Sequence, residues 1–493
     1  MPMVRTRLIA ACAAALLGAP PAGAQLLDVY RTHKLVSETP VAPMLKNASC
    51  VAEVVDRPIE LEDAILQAVC ANPQARQAWA NARAQAAAVG VSEAAYLPTL
   101  NATGGGERDR LKTTYDASAS GYGDIKNSQN SSSKYGMLNL SWVLFDFGKR
   151  SATLRQARQL LAAANATQDD ALQTVFFNAA QAFYAVRDAQ ASVDAARQSE
   201  DIAKESLAEA SAKHDAGAGT LSDQLQAQTT YRRALLDRMS AEGDERSAAG
   251  TLAAAMGLDA NTPVRIIASE PTADDTQFSE GVDQLIDEAK ARQPKLVAAR
   301  AKLEAARANV DVARAQGRPT ISLMGSLSQN NPSYQQQPLS YGSPPLKTSR
   351  GSTIGIQMTI PLFEGFASGY RTAQAQAQAD AQEADVQNTE LQVSLDVWKS
   401  YQSLQTDTAN LGNSKDLLTD AQHSLEIARG RYKAGVGTFT ELLNAQTALT
   451  DAQKQRVLAV SKWRTARLKL AASLGNLGLW RALVHGWANE RLR

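Results

Sequence analysis

The sequence predicts a mainly helical chain that also carries membrane strands. A duplicated helix–strand–strand–long helix unit supplies, from several copies, the strands of a β-barrel together with long helices that pack along a coiled-coil seam. Three observations predict this: an N-terminal export signal, a two-fold internal repeat, and four strand-sized segments that alternate apolar and polar residues.

Arg5 and Arg7 precede an apolar run from Leu8 to Leu17, and Ala22-Gly23-Ala24 places small residues before Gln25. Residues 1–24 therefore read as a cleaved signal peptide. Ile9-Ala10-Ala11-Cys12 has the look of a lipoprotein cleavage box, but only Leu8 and Ile9 would form its apolar stretch, which is too short. Beyond residue 24 no apolar run reaches the ~18 residues a spanning helix needs, so a membrane crossing must be made by strands. Export exposes Cys50 and Cys70 to an oxidising compartment. A disulfide is the leading reading, and a buried Cys70 thiol on a helix the alternative. Residues 25–58 form an N-terminal extension without a decisive period.

The repeat occupies residues 59–258 and 280–480, with a tail at 481–493. Leu61 to Thr99 aligns with Val282 to Thr320, so that Pro73 meets Pro294 and Pro98 meets Pro319. At an offset three residues shorter, Leu144-Phe145-Asp146 meets Leu362-Phe363-Glu364. The same offset joins Ala216 to Thr220 with Ala434 to Thr438, and Ala227-Gln228-Thr229 with Ala445-Gln446-Thr447. Each half reads as helix, strand, polar loop, strand, very long helix, glycine turn, helix. From Lys149 to Ala216 there is neither Gly nor Pro, enough for a helix ~100 Å long. Within it Leu172, Val175, Ala179, Ala182, Val186, Ala189, Val193 and Ala196 recur at steps of three and four, a coiled-coil seam of small residues.

Strands are expected at about 97–108, 135–146, 319–328 and 352–363. Ile354, Ile356, Met358 and Ile360 alternate with Thr353, Gly355, Gln357 and Thr359, and Leu138, Leu140, Trp142 and Leu144 alternate in the same way. A half-buried soluble sheet would alternate identically. The export signal and the polar loops expected at 111–134 and 329–350 favour outer-membrane hairpins. Four strands cannot close around a lumen, and open edges in lipid leave backbone groups unpaired. Membrane insertion therefore requires several chains; three would supply twelve strands.

Composition narrows the function. With 51 Lys+Arg against 50 Asp+Glu, bulk charge excludes a polybasic nucleic-acid binder. No HExxH, CxxC or spaced His/Cys set occurs, and His214 reads as a solvated helix-end residue. Gly148-Lys149-Arg150-Ser151 lacks the order of a phosphate loop, and Gly104-Gly105-Gly106 reads as flexibility near an outer loop. No catalytic, metal or cofactor site is expected.

The duplicated order, the paired LFD and LFE strand ends and the two AGxGT turns resemble the TolC-like outer-membrane efflux proteins over about residues 59–480. That resemblance implies a homotrimer with a 12-stranded barrel in the outer membrane of a Gram-negative bacterium. Its helical barrel would reach through the periplasm to a periplasmic adaptor and an inner-membrane ABC or proton-driven transporter. Carried over by position, Gly217, Ala218, Gly219 and Thr220 with Gly435, Val436, Gly437 and Thr438 match the tips that adaptors grip. The family's entrance latch, a Tyr bonding an Asp, matches Tyr432 and Asp223, with Ser222 as a neighbouring hydroxyl. Gly437 stands where the family has an Arg, and Glu441 and Asn444 stand at its two acidic ring positions. These departures imply one acidic ring and a weaker latch. The missing lipobox, the cysteine pair and the Ala-rich stretch Ala78–Gly90 resemble members serving type I protein secretion; efflux of small toxic compounds is the other family role. A soluble periplasmic coiled-coil adaptor is the alternative from a different class.

Overall fold

A computed structural model describes residues 28–41, 57–116, 118–121, 123–267, 281–332 and 348–475. The export signal, Cys12, Cys50 and the C-terminal tail lie outside the described residues. In the first half α1 (Leu61–Ala71) and α2 (Pro73–Ala94) lead into β1 (Thr99–Tyr115) and β2 (Ile125–Phe145). The long α3 (Lys149–Asp215) then turns back as α4 (Leu221–Ala255). The second half repeats the plan with α5 (Val282–Arg292), α6 (Pro294–Gln316), β3 (Thr320–Pro332), β4 (Ser349–Thr359), α7 (Ala367–Lys433) and α8 (Phe439–Ser473). The duplication is exact in length where it matters most: α3 and α7 each span 67 residues, and α4 and α8 each span 35.

The single helix expected before each first strand is two. Pro73 and Pro294 each sit at the first position of the second helix, because proline lacks the N–H that would continue the first. Asn72 caps α2 by accepting from the Gln74 amide at 2.9 Å.

The four strands form one antiparallel sheet in the order β1-β2-β3-β4. Strand positions differ from expectation in three ways, the smallest being that β3 runs on to Pro332 and β4 starts at Ser349, inside the expected polar loop. The first hairpin continues to Tyr115 and resumes at Ile125, through residues read as loop, because backbone pairing needs no apolar side chains. The last strand stops at Thr359, before Pro361, leaving Ile360, Leu362 and Phe363 beyond it. Gly104, Gly105 and Gly106 are paired strand residues rather than a flexible end. The ring of Tyr135 covers Gly105 so closely that a Cβ there would lie 2.5 Å from it.

Residues opposite one another in an antiparallel pair share a face. One face carries the rows Ala102–Leu138–Leu327, Leu100–Leu140–Gly325–Ile354 and Trp142–Leu323–Ile356. The other carries Asn101–Asn139–Ser326–Thr353 and Thr99–Ser141–Met324–Gly355. The alternation read along each segment thus aligns across the whole sheet. In the single chain the apolar face is uncovered, with Ile354 77% and Ile356 71% exposed.

Each strand-to-helix passage turns on its acidic residue. Asp146 accepts from the amides of Gly148 (3.3 Å) and Arg150 (3.0 Å), capping α3. It also pairs with the Arg150 side chain at 2.8 Å, while that guanidinium donates to the Val143 carbonyl at 2.6 Å. Glu364 pairs with Arg371 at 3.1 Å in the second half.

The upper parts of the long helices pack against α2 and α6, and the lower parts against α4 and α8. The change-over is a belt of core where the short helices dock. Ile65 and Val69 of α1 meet Leu172, Val175 and Phe176 of α3, and Leu285 of α5 meets Val393, Val397 and Trp463. Six of the eight seam residues read from α3 are buried; Ala189 and Ala196 are partly so. Cys70 packs on this belt and is disulfide-bonded. Residues 28–41 lie along α2 and α3, where the buried Gln168 amide donates to Ser37 Oγ (3.0 Å) and the Pro40 carbonyl (3.1 Å). Among the described residues no helix is long and apolar enough to cross a membrane.

Candidate functional site

The two glycine turns close the helical hairpins α3–α4 and α7–α8 at the end of the molecule far from the sheet. In both, a left-handed glycine ends the long helix: Gly217 at φ 71° and Gly435 at φ 75°. The Gly217 amide donates to the His214 carbonyl (2.9 Å) and the Ala218 amide to Lys213 (2.8 Å). Gly435 and Val436 repeat this with Tyr432 (3.2 Å) and Arg431 (3.0 Å). The second glycine serves a different need. A Cβ on Gly219 would sit 3.0 Å from Lys213 Cβ, and one on Gly437 2.9 Å from Arg431 Cβ, so the returning chain passes against the helix backbone. Thr220 and Thr438 then cap the return helices, accepting from the amides of Asp223 (3.1 Å) and Glu441 (3.2 Å).

Asp223 and Glu441 thereby occupy the third position of a Thr-capped helix, where the helix dipole favours a carboxylate. Tyr432 is buried, with its ring edge-on to Phe439 at 5.7 Å. Burial, then the neighbouring Asp223 and Glu209 carboxylates, push its phenol above the ordinary range, so it stays neutral and able to donate. Among the described residues no hydrogen bond joins Tyr432 to Asp223. The Tyr432 ring instead carries Lys213 Nζ at 3.7 Å over its face, and the same ammonium donates to the Tyr432 carbonyl.

Lys213 belongs to a line of α3 residues one turn apart. Glu209 pairs with Lys433 at 3.1 Å and with Arg429 at 3.6 Å, and Arg429 also pairs with Glu205. Glu205, Glu209 and Lys213 on the first hairpin are thus clasped to Arg429, Tyr432 and Lys433 on the second. Glu441 faces Arg431, 3.7 Å away, in a groove between α7 and α8 that also holds Asn444, His423 and Ile427. Ser222 is exposed at the start of α4. The clasp was not anticipated from sequence. One signal was present: Lys213 and Arg431 occupy the same place in the two repeats, four residues before the first glycine.

Below the turns the halves diverge. Phe439 and Leu442 of α8 are buried in the tip core with Tyr432 and Leu425. On α4, Leu221, Leu225 and Leu236 are 55%, 54% and 65% exposed. Among the described residues no group of His, Cys, Asp and Glu is placed to hold a metal ion.

The family model described as outer membrane efflux protein matches residues 64–258 and 285–476. The chain is 33% identical over 420 residues to protein CyaE of Bordetella pertussis, covering 85% of each. It is 26% identical to the pyoverdine export outer membrane protein OpmQ of Pseudomonas aeruginosa, covering 87% of this chain and 86% of that one. Among solved structures it resembles the outer membrane protein VceC of Vibrio cholerae, with a TM-score of 0.69, 21% identity and coverage of 84% and 96%. A membrane protein from Pseudomonas aeruginosa gives a TM-score of 0.72, 23% identity and coverage of 84% and 90%.

Replacing Gly217 by Val forces a β-branched residue into the left-handed region, at a cost of about 1–2 kcal/mol. Local opening should then speed amide exchange over residues 213–220 by roughly 5–30-fold while leaving the sheet unchanged, as read by hydrogen-exchange mass spectrometry.

Proposed function

Because this chain belongs to the outer membrane efflux protein family, we propose that three copies form a passive exit duct of a tripartite export system. The observation that carries this reading is the two-faced sheet with both edges open. Among the described residues β1 and β4 each have a neighbour on one side only, so the sheet ends in two different strand edges. Dissimilar edges join head to tail, and a head-to-tail contact that closes gives a ring. Three chains give twelve strands, with the apolar rows toward lipid and the Asn/Ser/Thr rows toward water.

The helices follow the same rule. Across the lower half the order is α4, α3, α8, α7, and the exposed Leu221, Leu225 and Leu236 belong to α4 on one flank, with α7 on the other. A neighbouring copy covers both flanks and closes a helical barrel continuous with the strand barrel. A soluble adaptor would leave both the sheet face and these flanks in water.

The duct spends no energy of its own. A periplasmic adaptor grips the exposed tips, Gly217 to Thr220 and Gly435 to Thr438, and couples them to an inner-membrane ABC or proton-driven transporter. The cargo is protein delivered by a type I system or small toxic compounds. Closure at the entrance rests on the clasp between Glu205, Glu209 and Lys213 and the second hairpin, with Tyr432 and Asp223 contributing through charge and burial. Glu441, tethered by Arg431, lines the opening with Asn444.

Two measurements test this reading. Ile356→Cys should react with a lipid-dissolved maleimide and Gln357→Cys with an aqueous one, in a species that runs as a trimer on unheated gels; the reverse pattern sinks the barrel. The clasp pairs are partly exposed and contribute about 0.5 kcal/mol each. Combining Glu209→Ala with Lys213→Ala should therefore raise open probability severalfold in planar bilayers, whereas Glu441→Gln should lower cation selectivity without opening the duct.

A further inference from the structure

Above its apolar rows the sheet changes character without changing register. The row Gly104–Gly136–Gln329–Arg350 follows directly on Ala102–Leu138–Leu327. Next come Gly106–Lys134–Asn331, Arg108–Ser132, Arg110–Asn130, Lys112–Ser128 and Thr114–Lys126, as the first hairpin continues past the ends of β3 and β4. Every charged strand residue in this stretch obeys one split. Arg108, Arg110, Lys112, Lys126, Lys134 and Arg350 lie on the same face as Leu138 and Ile354. Glu107 and Asp109 lie on the opposite face.

Alternation alone accounts for a polar extension, but not for sorting by sign. All six cations are exposed. The nearest row, with Arg350, begins ~7 Å beyond the last apolar row, and Lys134 stands ~7 Å further. The Arg350 and Lys134 rows are thus the ones nearest the boundary where headgroups meet the hydrocarbon, and the hairpin's other cations continue outward on the same face. Long basic side chains at such a boundary reach the headgroups while their stems stay apolar.

We infer that this outward basic face is a docking belt for the phosphate groups of the outer leaflet's glycolipid. The inference rests on the membrane-duct reading, which sets the apolar face toward lipid and the hairpin ends outside. Four features favour a phosphorylated lipid as occupant. The belt is continuous with the lipid-facing rows, and its charge is complementary to phosphate. Three of its six cations are Arg, whose forked donors match phosphate oxygens. Basic clusters beside transmembrane helices attract anionic headgroups, and the same charge attraction applies to a basic strand face beside a membrane span. The acids on the opposite face would line the water-filled mouth, where they do not repel the lipid.

The test uses the full-length trimer in neutral detergent, with bisphosphorylated lipid A as the probe and native mass spectrometry to measure binding. Combining Arg108→Ser, Arg110→Ser, Lys134→Ser and Arg350→Ser should weaken lipid A binding at least about tenfold. Glu107→Ser with Asp109→Ser should not weaken it. The wild-type trimer should show the same loss when the lipid A phosphates are removed, a measurement that does not depend on any variant folding. Inorganic phosphate at equal concentration should not compete. Equal binding by wild type and the four-residue variant, indifference to phosphate removal, or competition by inorganic phosphate would each overturn the belt. Conductance of the wild-type trimer in planar bilayers is recorded alongside. A conducting trimer that ignores the phosphates sinks the belt alone, and a trimer that does not conduct sinks the duct.

Discussion

Unpaired backbone is the constraint on which the rest of this structure depends. A sheet of four strands has two edges, and in hydrocarbon each unpaired N–H or C=O costs several kcal/mol. Among the described residues nothing pairs the outer side of β1 or of β4. The same incompleteness runs down the helices, where α4 buries few of its residues and α8 buries many. The single chain is stable where its own halves meet, along α3 with α6 and α3 with α8, and unfinished at both flanks. Edge chemistry and flank chemistry therefore call for the same neighbour.

Duplication accounts for both the regularity of the fold and its divergence. The turns kept their chemistry in both copies because φ, close approach and capping leave few substitutes. The surfaces beside the turns had no such restriction. In the second copy Phe439 went into the tip core, and in the first its equivalent Leu221 stayed outside. Equal helix lengths let hairpins of different surface character sit at the same depth.

Much of this was legible in the residues. The period of two in Ile354, Ile356 and Met358 foretold a face that the register then assembled across all four strands. The long helix followed from the absence of Gly and Pro between Lys149 and Ala216. What escaped reading was of two kinds. The polar parts of the first hairpin, Glu107 to Tyr115 and Ile125 to Ser133, are held by main-chain pairing, which leaves no hydrophobic period to read. The clasp of Lys213 on Tyr432 joins residues far apart in the chain, and neither has a neighbour in sequence that announces the other. Pro73 was noticed as a landmark of the repeat, yet its effect of splitting a helix was not drawn from it.

The tip turns carry one more implication. Of the five residues in each, the alanine closes the helix, the first glycine takes the left-handed conformation, the second yields room to the backbone, and the threonine caps the return. Only Ala218 and its equivalent Val436, the latter 69% exposed, answer to no internal demand. A ring of three chains would present these side chains as six small, alternating letters at its rim. Natural variation could respell that address, and so redirect which machine the conduit serves, without disturbing a single bond that shapes the loop.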